Sequence, residues 1–249
     1  MSMKILGTSF DIHLGGEDLT FPHHEDEIAQ SEGAGVQEEG QPFVKYWLHG
    51  AHLLVEGKKM SKSLGNFYTL RDLLDKGYSG SEIRQLMISA HYRETFNFTL
   101  DGLAGARTAL NRINECVTKI RGVADGSQAE PSGEVIEKFT AALDDNLNVS
   151  SAWAAVFDWV RDCNRKLADN SMDATAAAAE MAAWERIDTV LGVSKTEKEA
   201  PAELVALMEE RTEAREAKNF SRADAIRDEL AEQGWTIEDT PKGPRLKRL

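Results

Sequence analysis

From Asn66 to about position 191, apolar residues recur at helical spacing almost without a break, whereas ahead of Asn66 they alternate. That change of period confines a first sheet to the opening 57 residues. "FDIHLGG" at 10–16 alternates apolar and polar and runs into Gly15-Gly16. "VKYWLHGAHLLVEG" at 44–57 reads as one or two strands that bend at Gly50 and end at Gly57. "MSMKILG" reads as the end of a helix stopped by Gly7. "PHHEDEIAQSEGA" reads as a helix with Pro22 at its start and acids in its first turn, where the macrodipole favours them. A parallel sheet normally needs cover on both faces and more strands than this, so residues 1–57 look like part of a domain.

Beyond Asn66, "TLRDLLDKGY" and "SGSEIRQLMISAHYR" each bring leucines or isoleucines to one face. "TLDGLAGARTALNRINECVTKIRGV" continues the period through Val123, "ADGSQAEPSG" is a loop, and helices are expected over 133–145, 149–169 and 172–191. A polar, proline-containing linker follows, then a helical hairpin and the strand-like "WTIEDT". The expected organisation is mixed. A partial α/β piece (1–57) leads into a lysine-rich loop with connecting helices (58–97) and a helical bundle (98–193). A linker (194–202) and a small C-terminal module (203–249) complete the chain.

With 41% hydrophobic residues there is material for a core. A net charge of −13 argues against indiscriminate binding to nucleic acid or membrane. It leaves room for a local basic patch, and the final "PKGPRLKRL" carries Lys242, Arg245, Lys247 and Arg248 with no acid, as phosphate contacts or a frayed tail. Cys116 and Cys163 form no CxxC and read as buried free thiols of a reducing cytosol. No apolar run reaches membrane-spanning length, and residues 1–20 lack a signal-peptide pattern.

Three clusters carry chemistry. "GKKMSKSLGN" at 57–66 holds Lys58, Lys59 and Lys62 among hydroxyls. Lysine-rich loops are most often solvated surface, but a flexible lysine can also swing onto a phosphate chain and neutralise charge as pyrophosphate departs. In the second cluster, His23 and Glu27 are four apart and share a helical face, and both suit Zn²⁺; His24 with Glu27, three apart, is a nearly equal alternative. A solvated polar turn is the commoner outcome for such a run. The third, "EAREAKNFSRADAIRDEL", reads by itself as a charged amphipathic helix pair. Trp47 reads as core in preference to a lid.

Lys59-Met60-Ser61-Lys62-Ser63 matches letter for letter the signature loop of class I aminoacyl-tRNA synthetases. Together with "FDIHLGGEDLTFPHHEDEIAQSEGA", "YWLHG" and "KMSKSLGNFYTLRDLL", it makes essentially the whole chain resemble cysteinyl-tRNA synthetases. A related ligase that joins cysteine to an aminosugar shares the histidine-pair and lysine-loop motifs. The resemblance implies a partial Rossmann-like catalytic domain, a helical bundle and an anticodon-binding module. It implies ATP-dependent activation of cysteine, with Mg²⁺, and transfer to tRNA-Cys in the cytoplasm. Lys59 and Lys62 would be catalytic, and the ATP site would take Lys62, Met60, Ser61, Ser63, His13, Gly15, Gly16 and Asp18. His23 and Glu27 would join two cysteines around a zinc whose open position takes the substrate thiolate, rejecting serine without editing. Arg215, Phe220, Asp224 and Asp239 would contact the anticodon, Phe220 by stacking where the family commonly has Trp.

The sequence departs from the family in three ways. Leu14 replaces the first glycine of a His-Gly-Gly-Gly-x-Asp stretch, the two zinc cysteines are absent, and so is the HIGH-type nucleotide motif. The expectation is therefore a C-terminal portion of such an enzyme, inactive without its N-terminal half, with that half as a candidate partner. The alternatives are a non-catalytic tRNA-binding fragment and the aminosugar ligase.

Overall fold

The computed structural model describes residues 2–194, 201–217, 219–240 and 243–248. The linker expected over 194–202 therefore falls largely outside the described residues, as does Lys242. The chain divides into two compact units, Met1–Ser194 and Lys195–Leu249.

The first unit opens with α1 (Ser2–Leu6), which stops at Gly7, a residue at φ +90° whose amide donates to the Met3 carbonyl. β1 (Phe10–Gly16) follows, then two irregular turns over Glu17–His24, then α2 (Glu25–Gly33). The helix begins three residues later than its proline suggests. Phe21 is extended at φ −136°, ψ 133°, and the Phe21–Pro22 peptide bond is cis, so Pro22 lies in the turn leading into the helix. Glu25, Asp26 and Glu27 do fill the first turn of α2.

β2 (Val44–Gly50) pairs with β1 in parallel, in a register that sets Ile12 beside Tyr46, His13 beside Trp47, Leu14 beside Leu48 and Gly15 beside His49. The alternation of a strand then divides the pair into two faces. One carries His13, Gly15, Trp47 and His49. The other carries Ile12, Leu14, Tyr46 and Leu48, of which Leu14 is 66% and Tyr46 65% exposed. An apolar face this open is unusual for parallel strands.

A second small sheet, in the order β4-β3-β5, is made of β3 (Leu53–Val55), β4 (Lys58–Lys59) and β5 (Phe96–Phe98). Strand β5 is absent from the sequence-based reading. Between β4 and β5 lie α3 (Leu70–Asp75) and α4 (Gly80–Met87). Each is started by a capping box, Thr69 with Asp72 and Ser79 with Glu82. Val55, Leu73, Leu86, Phe98, Leu103 and Ala106 form the core beneath this sheet.

The bundle consists of α5 (Leu100–Ala124), α6 (Gly133–Asp144), α7 (Val149–Ala168) and α8 (Ala174–Leu191). These are the helices the apolar period predicts, to within two residues. Their apolar stripes meet in one large core around Ile113, Ile120, Val156, Trp159, Trp184 and Ile187. Cys116 and Cys163 lie in that core as free thiols. The hydrogen bond to Cys116 and burial push the Cys163 thiol well above an ordinary thiol, so it stays protonated and inert.

The second unit comprises α9 (Ala202–Glu216), α10 (Phe220–Glu232) and an antiparallel pair, β6 (Trp235–Thr240) and β7 (Gly243–Arg248). Leu204, Ile226 and Leu230 are its buried core. Residues 243–248 are thus a strand and not a frayed tail.

Candidate active site

The site face of β1–β2 holds a cluster of imidazoles around one carboxylate. From α2, Glu27 places Oε1 3.4 Å from His23 Nε2 and Oε2 3.5 Å from His13 Nε2. The first pair exists because residues four apart share a helical face; the second joins a side chain of β1 to the first turn of α2. His13 stacks on Trp47, with ring centroids 4.5 Å apart and planes 19° apart. Trp47 also leans on Phe43 and His24, so it packs as half-buried core while lining a cavity on its other side.

His24 is buried, and its Nδ1 lies 2.8 Å from His49 Nε2. Burial, then the neighbouring His13 and His49, hold its pKa below the ordinary imidazole value. It is therefore neutral at pH 7, one ring donating and the other accepting in the contact to His49. Gly15 makes this packing possible. A Cβ there would lie 2.9 Å from His24 Nε2 and closer still to the adjacent ring carbon. The space beside Gly15 is taken by a side chain of the same protein. At Gly16 a Cβ would collide with the Asp18 carboxylate, while Asp18 itself is exposed.

Neither His13 Nδ1 nor Glu27 Oε2 has a hydrogen-bond partner despite being buried. The 3.4 Å between His23 Nε2 and Glu27 Oε1 is close to the edge of a tetrahedron whose arms are the usual zinc–ligand lengths of about 2.0–2.2 Å. The pair therefore fits one edge of a zinc site. Among the described residues, however, no group of three or more His, Cys, Asp or Glu is arranged to hold a metal. Cys116 and Cys163 are in the bundle core and supply nothing here. His24 is engaged with His49, which separates it from His23, the more exposed of the two neighbours.

The lysine-rich loop sits on the second sheet. Glu56, at φ 51°, and Gly57, at φ 73°, turn the chain between β3 and β4, and a single 3-10 turn spans Lys62–Leu64. Asn66 holds the loop. Its side-chain oxygen accepts from the Ser61 amide at 2.9 Å, and its nitrogen donates to the carbonyls of Val55 at 3.1 Å and Lys59 at 3.2 Å. Asn66 is buried, so those bonds are made away from water. Ser61 and Ser63 share a hydroxyl contact of 2.8 Å, and Lys58, Lys59 and Met60 are exposed. The Lys62 side chain is outside the described residues. Asn66 ends the quoted sequence motif, yet only its burial reveals its part.

In the second unit, Phe220 opens α10 and is 62% exposed. Asp224, one turn later, shares its face, while Ala223, Ile226 and Leu230 point to the core. Arg215 lies exposed on α9. The backbone of Asp239 is in β6 opposite Pro244, with its side chain outside the described residues.

Comparison with known proteins follows the same order along the chain. Residues 1–108 match a family model described as the class I (C) tRNA synthetase catalytic domain, 138–195 a DALR domain, and 197–244 a cysteinyl-tRNA ligase anticodon-binding domain. The cysteine–tRNA ligase of Chlamydia caviae is 45% identical over 257 aligned residues, covering all of this chain and 53% of that protein. That of Protochlamydia amoebophila is 42% identical and is covered to 52%. The chain thus spans about half the length of the curated relatives it matches. Among solved structures, the ternary complex of Agrobacterium radiobacter K84 agnB2 LeuRS with tRNA and LeuAMS superposes with a TM-score of 0.56 at 17% identity, over 74% of this chain and 26% of that one. That likeness concerns the fold alone. Catalytic, DALR and anticodon-binding models in sequence, with identity sustained along the entire chain, establish that this chain belongs to the cysteinyl-tRNA synthetase family.

Proposed function

We propose that the chain takes part in cysteine–tRNA ligation: ATP-dependent activation of cysteine with Mg²⁺, then transfer to tRNA-Cys, in the cytoplasm. The observation that carries the reading is the His23–Glu27 pair, a half-built tetrahedral edge beside the ends of two parallel strands. Two ligands rarely close a zinc site, so the reading requires the N-terminal half of a Rossmann-like catalytic domain as partner. The open apolar face of Ile12, Leu14, Tyr46 and Leu48 offers that partner a surface to cover.

In this reading His23 and Glu27 bind zinc, which when present selects a thiolate over a hydroxyl. His13 Nε2 lies 3.5 Å from the second oxygen of Glu27 and borders the site from β1. Lys59 and Lys62 neutralise the departing phosphates, and Met60, Ser61 and Ser63 shape the loop around them. Gly15, Gly16 and Asp18 border the nucleotide at the end of β1. In the second unit Phe220 stacks on an unpaired base, and Arg215, Asp224 and Asp239 read base edges. The anticodon-binding match over 197–244 favours tRNA over an aminosugar as acceptor. A non-catalytic tRNA-binding role is the second reading, favoured because no group of three or more metal-ligating side chains is assembled among the described residues.

Cysteine-dependent ATP–pyrophosphate exchange tests this, with the 249-residue chain alone and with the complementary half of a matched relative added. Exchange only in the mixture, lost in Lys62→Ala, is the expected result. Exchange by the chain alone would overturn the account of the site. Exchange in neither, with tRNA still bound, would leave the second reading.

A further inference from the structure

Beyond the carboxyl ends of β1 and β2 lies a cavity of about 360 Å³ lined by Glu17, Trp47, His49, Ala51 and Arg93. That position, outside the carboxyl ends of parallel strands, is where open α/β folds take their ligands. Four of the lining residues belong to the strands or follow them directly. Arg93 does not. It comes from the segment between α4 and β5, and among the described residues no carboxylate lies within 4.0 Å of its guanidinium. The acid across the cavity, Glu17, is engaged by His52, whose Nδ1 is 2.6 Å from its Oε1.

Arg93 is also deliberately held. Its Nε donates to the Tyr92 hydroxyl at 3.0 Å, the guanidinium lies 5.5 Å from the Tyr92 ring centroid, and its amide donates to His91 Nδ1 at 3.1 Å. The Tyr92 hydroxyl in turn donates to Asn146 Oδ1 at 2.8 Å, and His91 Nε2 bonds the Asn146 carbonyl at 3.0 Å. Asn146 and Leu147 have φ of 55° and 56°. Two successive non-glycine residues in the left-handed region, one of them a leucine, mark a conformation that the surroundings impose. The turn between α6 and α7 therefore fixes Tyr92, and Tyr92 fixes Arg93, at the rim of the cavity.

We infer that Arg93 is a phosphate-binding residue of this cavity, positioned by Tyr92 and Asn146. A guanidinium with no carboxylate within 4.0 Å among the described residues, and with one nitrogen already oriented, is suited to bind a phosphoryl group through its remaining N–H donors. The phosphate could belong to a mononucleotide or to the 3′ end of an RNA. Which of the two is meant rests on the proposed ligase reading; the site itself does not.

The test is equilibrium titration of the full 249-residue chain, followed by tryptophan fluorescence, with ATP in one arm and a CCA-ended RNA hairpin in the other. Arg93→Ala should weaken the ligand that binds by about 10- to 100-fold, as loss of a charge-assisted hydrogen-bond pair does. Arg93→Lys should recover only part of it, and Tyr92→Phe should weaken it several-fold with an unchanged thermal melt. An effect in the ATP arm alone assigns a nucleotide phosphate, and one in the RNA arm alone an RNA phosphate. Arg93→Ala binding both probes like the wild type, or wild type binding neither, would overturn the inference. Lys59→Ala separates the two ideas. If it weakens ATP and Arg93→Ala does not, the lysine-loop reading survives without this one, and the reverse pattern leaves this one standing alone.

Discussion

Asn66 shows how much one amide can organise. Two strands and the lysine-rich loop converge on its three hydrogen bonds, all made by a side chain only 9% exposed. Asn66→Ala would strand the Ser61 amide and two carbonyls, at a cost of about 1–3 kcal/mol for a buried group left unsatisfied. The loss should be local: tryptic cleavage after Lys58 and Lys59 should accelerate at least tenfold while cleavage in the bundle does not change. Equal cleavage rates in mutant and wild type would show that the loop is held by other means. Of the imidazole cluster, spacing alone leaves His23 and His24 as near-equal partners for Glu27, and the resemblance favours His23; neither shows that His24 turns inward to His49. That outcome depends on Gly15 lacking a Cβ, a contact between residues nine apart that no local pattern encodes.

Among the elements, the long helices of the bundle were legible because their apolar residues keep a helical period through each of α5 to α8. β5 was not. "FNF" is three residues long and becomes a strand only by lying beside Leu53–Val55, some forty residues earlier. β7 was hidden by Gly243, Pro244 and three cations, which read as a tail until β6 supplies a partner. The packing of α4 on α5 rests in part on Arg107, which donates to both oxygens of Glu82, at 2.7 and 3.2 Å, and to the Gly77 carbonyl at 2.7 Å. Burial opposes ionisation of Glu82, but Arg107 and the Ser79 cap outweigh it and lower its pKa below 4.5. A depressed carboxylate contributes stability that is complete above its unfolded value of 4.5 and is lost as pH falls through the lower folded value. Arg107→Ala should lower stability at pH 7, and the deficit should shrink in acid below that value. Denaturant melts at pH 7 and pH 3 decide this, and an equal deficit at both would exclude the linkage.

At the scale of the molecule, the two compact units are built very differently. The first buries a bundle core of aromatic and branched residues, whereas the buried apolar side chains of the second, among the described residues, are Leu204, Ile226 and Leu230 with the small Ala214 and Ala223. Small domains with so little core are marginal. Calorimetry should therefore show two transitions, the lower belonging to 203–249 and removable by Ile226→Ala without moving the upper. One transition shifted as a whole by that mutation would show the units to melt together. The α/β piece has a different vulnerability. Its two parallel strands leave Ile12, Leu14 and Tyr46 open to water on one side. Surfaces of that kind are what cellular quality control recognises, so the lifetime of the free chain in a cell is set by how quickly that face is covered.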